Sequence, residues 1–182
     1  MTTPAPQHLG LGSWPSRRAA LTPESVALSF EGVDTTYARL SERVDALAAW
    51  LQRVRGIRAG DRVAYFGANH PALLEAFFAA GRIGAVAVLV NARLAREEVH
   101  HVLADSGARL LFVDPALWPG LSGPGAGRLP SVEALVTVET PPAPWTPGRR
   151  STSSTWPRRW TPGPRSPVPW RSPESAWTTP AC

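Results

Sequence analysis

Apolar side chains recur at three- and four-residue spacing between residues 37 and 54. Leu40, Val44, Leu47, Ala48 and Leu51 form one stripe, with Arg39, Glu42, Arg43 and Asp45 on other faces. That periodicity predicts an amphipathic helix ending near Gly56. Before it, Val26–Phe30, the turn Glu31-Gly32-Val33 and residues 34–36 alternate apolar and polar positions around a glycine, which predicts a short β-hairpin. After it, Gly60-Asp61 turns into a β-prone run, Arg62–Phe66. Asn69-His70-Pro71 reads as a helix start, because proline is tolerated in a first turn where its missing N–H would be unpaired anyway. This helix is expected to run to about Arg82.

Residues 85–90 are continuously apolar, the pattern of a strand covered on both faces of a parallel sheet. A helix over 96–104, with Val99, Val102 and Leu103 as its buried stripe, and a strand over 109–113 complete the series. Strand, helix, strand, helix, strand is a βαβαβ unit with right-handed crossovers, so the fold class is α/β: a short hairpin followed by a parallel sheet. Periodicity fades after Asp114-Pro115, returns at 132–138 and is lost beyond Thr140. The expected organisation is a flexible start over 1–12, a folded unit over 13–138 and a disordered tail over 139–182. The last 43 residues contain 11 of the 20 Pro and five of the eight Trp with almost no aliphatic side chains, too little apolar surface to offset ordering entropy.

Charge sharpens this division. The formal net charge of +5 suggests an anionic partner, but up to Glu139 there are 13 Arg against 13 acidic residues, so the excess belongs to the tail. A chain of 182 residues can bury roughly two-thirds of its unfolded surface in one core. The single cysteine, Cys182, gives no disulfide framework and no paired metal thiolates. Neither a basic leader followed by an apolar stretch nor a bilayer-length apolar run occurs, so the expectation is a cytoplasmic protein without a membrane span.

Thr36-Tyr37-Ala38-Arg39-Leu40, Gly60-Asp61-Arg62-Val63-Ala64, Asn69-His70-Pro71 and Ala79-Ala80-Gly81-Arg82-Ile83-Gly84-Ala85-Val86 follow one another in order. With Val90-Asn91-Ala92-Arg93-Leu94, Glu97-Glu98 and Asp105-Ser106-Gly107-Ala108-Arg109, they resemble the opening segment of the AMP-binding, adenylate-forming acyl-CoA synthetases over about residues 13–138. The pattern departs at Ala95-Arg96, where family members commonly carry a Thr/Ser cap followed by Pro, which implies a less sharply started helix. The resemblance implies the N-terminal part of the large domain of a ligase of fatty acid metabolism. That ligase joins an acid to ATP and then to a thiol, using ATP, Mg and coenzyme A. The family's nucleotide, acid and metal contacts come later in the chain, so no catalytic, cofactor-binding or metal residue is expected here, and no cofactor for this segment alone.

Individual motifs agree. Ser122-Gly123-Pro124-Gly125-Ala126-Gly127 is glycine-rich but contains Pro and opens no helix, and reads as a surface loop. Ser151-Thr152-Ser153-Ser154-Thr155 resembles the family's hydroxyl-rich phosphate loop, yet Trp156-Pro157 stands where Gly and Lys belong. All 19 basic residues are Arg, so the chain cannot supply the family's late Lys. His100 and His101 are adjacent on a helix and do not point together at a metal; solvated residues are expected. Glu97-Glu98 suits the positive end of a helix dipole. Asn69 and His70 could face a pocket at the end of a strand, but helix capping explains them more simply.

The Arg and Trp of the tail could meet phosphate and stack on bases, which leaves a non-catalytic module binding RNA or another acidic partner as the alternative function. A frameshift explains the tail more fully. Read from the third base of each codon, Trp156-Pro157-Arg158-Arg159-Trp160-Thr161 permits Leu-Ala-Ala-Ala-Leu-Asp, with the Asp forced. The expectation is a truncated synthetase, frameshifted after about residue 139 and inactive alone, with nucleic acid an unlikely partner. Self-association is expected through exposed edges at 85–90 and 110–113, whose sheet neighbours would be missing.

Overall fold

The computed structural model describes residues 10–122, 129 and 131–138, and the backbone of 168–170. It opens with a 3₁₀ turn, Leu11–Ser13, and a helix α1, Trp14–Leu21, which has Pro15 in its first turn. Neither was expected. The start packs rather than frays from Gly10 onward, because Gly12 is buried with its backbone against that of Gly81 and Arg82. The hairpin follows as β1 (Val26–Phe30) and β2 (Val33–Thr36), with Phe30 opposite Val33. Glu31 and Gly32 both have positive φ, the requirement of a two-residue type I′ turn, and Glu31 is the only described non-glycine residue in that region.

Helix α2, Tyr37–Arg53, buries the anticipated stripe of Leu40, Val44, Leu47, Ala48 and Leu51. Thr36 caps it by accepting from the Arg39 N–H. Then come β3 (Arg62–Phe66), α3 (Pro71–Arg82), β4 (Val86–Val90), α4 (Arg96–Ser106) and β5 (Leu110–Val113). A one-turn helix α5 (Trp118–Ser122) leads towards β6 (Ala134–Val138), and β7 (Val168–Trp170) lies beyond. The five later strands form one parallel sheet in the order β4-β3-β5-β6-β7.

Alternation along the strands divides the interior in two. Val63, Tyr65, Leu110, Phe112 and Val136 pack with α2 and α3 on one face. Ala64, Phe66, Val90, Leu111 and Val113 pack with Val99 and Leu103 of α4 on the other. Helices on both faces of a parallel sheet make a doubly wound α/β fold.

Two expectations need correction. The 85–90 run is not covered on both sides: β4 is the sheet's edge, with Val86 50% and Leu89 54% exposed. A continuous apolar run does not distinguish an edge from a centre, and β3 and β5 hold the central places here. Nor does β5 lack neighbours, because it pairs with β3 and β6 and all four of its residues are buried. Within the tail, Val168–Trp170 adds a parallel strand to β6. An unpaired strand edge is a template for any extended segment, and proline is tolerated on such an edge. The remainder of the expected disordered tail, residues 1–9, and the loops at 123–127 and 151–155 lie outside the described residues.

Candidate functional site at the carboxyl ends of the strands

In a doubly wound sheet, ligands bind where consecutive connections leave in opposite directions, at the carboxyl ends of the strands. Here α3 leads from β3 to β4 on one side, and α4 carries the chain back across to β5 on the other. The switch point therefore lies between β3 and β5. Its walls are Gly67, Ala68, Asn69 and His70 after β3, and Asp114 after β5. The Asp114 N–H donates to the Phe66 carbonyl at 2.9 Å, the last tie before the two loops part. Gly67 sits where a Cβ would come within 3.2 Å of the Asp114 Cβ and 3.0 Å of the Tyr65 ring, so only the smallest residue leaves the crevice relaxed.

Three side chains of the crevice are committed to structure. His70 caps α3, its Nδ1 accepting from the Ala72 N–H at 3.1 Å. Capping is thus what the structure shows for His70, while Asn69 is exposed. With Nδ1 accepting, the neutral ring carries its proton on Nε2, which is buried without a partner. Burial holds the His70 pKa below its ordinary 6.5, and the ring stands edge-on to Phe30 at 5.1 Å. Burial, with the charges of Asp114 and Glu75, pushes the Tyr65 phenol up to about 12, and its hydroxyl donates to the Ala68 carbonyl at 3.3 Å. Asp114 Oδ1 accepts from the Ala116 N–H at 2.9 Å, closing its own turn. Behind the crevice, Glu75 is 2% exposed and receives Arg43 Nε at 2.6 Å and Nη2 at 3.0 Å.

A neutral capping histidine, a phenol held protonated and a carboxylate turned onto its own backbone do not form a nucleophile with its base. Among the described residues no group of three His, Cys, Asp or Glu side chains could hold a metal. The other singled-out residues also serve the scaffold. Glu98 accepts from the Ala95 N–H at 2.8 Å, closing the start of α4 that lacks a side-chain cap. His101 is exposed, but His100 is partly covered and its Nε2 is buried.

Two clusters escaped sequence reasoning because their members are far apart in the chain. Arg62 donates to the Ser106 and Gly107 carbonyls at 2.6 and 2.8 Å, covering the C-terminal end of α4. Beside it, at the amino ends of β3, β5 and β6, Arg109 bridges Asp61 and Glu133. Asp61 is held below its ordinary range first by its bond from the Arg58 N–H, and Glu133 by its bond from Arg109.

The family model for AMP-binding enzymes matches residues 16–177. The chain belongs to the AMP-binding enzyme family. It is 51% identical over 128 residues to feruloyl-CoA synthase of an Amycolatopsis species, covering 70% of this chain and 26% of that one. It is 36% identical over 135 residues to indoleacetate–CoA ligase of Aromatoleum aromaticum, covering 74% and 26%. The chain thus spans about a quarter of the length of these relatives. Among solved structures, the N-terminal domain of FACL13 from Mycobacterium tuberculosis superposes with a TM-score of 0.64 at 31% identity, over 68% of this chain and 32% of that one. The anthranilate CoA ligase AuaEII, in complex with anthranoyl-AMP, shares the fold with a TM-score of 0.67 at 24% identity, over 77% and 27%. The AMP-binding family and α/β class expected from the residues are therefore correct. No helix among the described residues is long and apolar enough to cross a membrane.

Proposed function

We propose that this chain supplies scaffold to an acid-activating ligase and performs no adenylation alone. The reaction of the whole protein is activation of a carboxylic acid with ATP to an acyl-adenylate, followed by transfer to coenzyme A. The observation that carries this reading is the commitment of His70, Tyr65 and Asp114 in the switch-point crevice to capping and turns, in a family member with no Lys anywhere in its sequence. Stabilising negative charge on a transferring phosphoryl group requires preorganised cations or N–H donors aimed at it. The crevice offers a neutral imidazole and a phenol.

The acid is an aryl acid in this reading, supported by the names of two relatives, feruloyl-CoA synthase and indoleacetate–CoA ligase. Incubating the purified chain with ATP, Mg, coenzyme A and either ferulate or palmitate should yield no thioester. Formation of either product would overturn the scaffold reading. The alternative, an RNA-binding module, rests on the Arg/Trp tail, most of which lies outside the described residues.

A further inference from the structure

On the far side of α2 and α3 from the sheet, α1 and the hairpin enclose a groove of about 520 Å³, within the range of small-molecule sites. Its floor is Leu28, Leu40 and Phe78 and its lips are Trp14 and Leu21, two turns apart on α1 and 58% and 75% exposed. Trp14, Arg17, Arg18 and Leu21 stand at i, i+3, i+4 and i+7, so one face of α1 carries two cations between two apolar lips. Arg18 lies over the Tyr37 ring at 5.6 Å, and among the described residues neither Arg17 nor Arg18 has a carboxylate partner.

We propose that this groove binds a single-chain amphiphile with a carboxylate head, the chain lying on Leu28 and Phe78 and the head meeting Arg17 and Arg18. Charge complementarity selects the occupant: an apolar trough with two adjacent unpaired guanidinium groups matches an apolar body ending in a planar anion. The site is separate from the switch-point crevice, and its occupancy does not depend on whether the chain adenylates anything.

The test is calorimetric titration of the full chain with decanoate below its micellar range, against decyltrimethylammonium, which has the same chain and the opposite charge. Saturable one-to-one binding of decanoate is expected, at least tenfold tighter than the cation. The R17E/R18E variant should reverse that order. Both substitutions lie on an exposed helix face, so the variant should stay folded, its melt lowered only slightly by loss of the Arg18–Tyr37 contact. In the W14F variant, fluorescence quenching by 10-bromodecanoate should fall, which places the ligand at α1. Equal affinity for both head groups, a preference unmoved by the charge reversal, or no saturation below micelle formation would each overturn the proposal.

Discussion

Replacing Arg43 with Ala tests the packing of α2 on α3 most sharply. Glu75 is 2% exposed and its two carboxylate oxygens take both hydrogen bonds from the Arg43 guanidinium, which is itself 27% exposed. Removing the arginine leaves a buried carboxylate without a counter-charge, a loss of about 3–5 kcal/mol for a fully buried pair. Solvent at Arg43 lets water reach part of the vacated space, so the lower end of that range, about 3 kcal/mol, is expected. Against a domain stability of roughly 5–15 kcal/mol, that is a large fraction. Removing both partners, in R43M/E75M, should restore most of the loss, because the buried charge goes with its partner. Urea unfolding of the full chain followed by far-UV circular dichroism would measure both. If R43A does not fold at all, a folded double variant still establishes that the stranded carboxylate is the cause. A loss below about 1 kcal/mol in R43A, or a double variant no more stable than R43A, would refute the reasoning.

Gly12→Ala should destabilise by about 1–3 kcal/mol, since the new Cβ would lie 2.1 Å from the Arg82 N and 2.3 Å from the Gly81 carbonyl carbon; an unchanged thermal midpoint would contradict this. His70 is held below 6.5 by burial, so the unfolded chain takes up a proton first as pH falls. Stability should therefore drop from about pH 6.5 down to the lowered folded value and level off below it. His70→Asn keeps a capping acceptor without the titration and should lose that part of the slope in urea midpoints at pH 7.5 and 5.5; parallel curves would reject the assignment. The exposed β4 edge should promote concentration-dependent association by sedimentation, relieved in V86K/L89K, and a parent chain that stays monomeric at micromolar concentration would count against it.

Local signals were legible where the residues that make an element are neighbours in sequence. The stripe of α2, the hairpin turn and the His70-Pro71 start of α3 all follow from side chains within one or two turns of each other. Helix α1 was hidden because Trp14-Pro15-Ser16-Arg17-Arg18 shows no apolar period; Ser13 followed by Pro15 was the one available signal. The edge position of β4 depends on strand order, which the same apolar run permits either way. The Arg43–Glu75 pair spans 32 residues, and Arg62 reaches Ser106 across 44, distances at which a single sequence shows no partner. The candidate crevice was legible in two residues, Asn69 and His70, and its other wall, Asp114, emerged only with the pairing of β3 and β5.

Acid-dependent exchange of labelled pyrophosphate into ATP isolates the first half-reaction of the family and needs no thiol acceptor. With purified chain, Mg and a panel of aryl and fatty acids, exchange should stay at the level of a protein-free control. Exchange above that control with any acid, abolished by heat-denaturing the protein, would show that the chain adenylates by itself and would contradict the account.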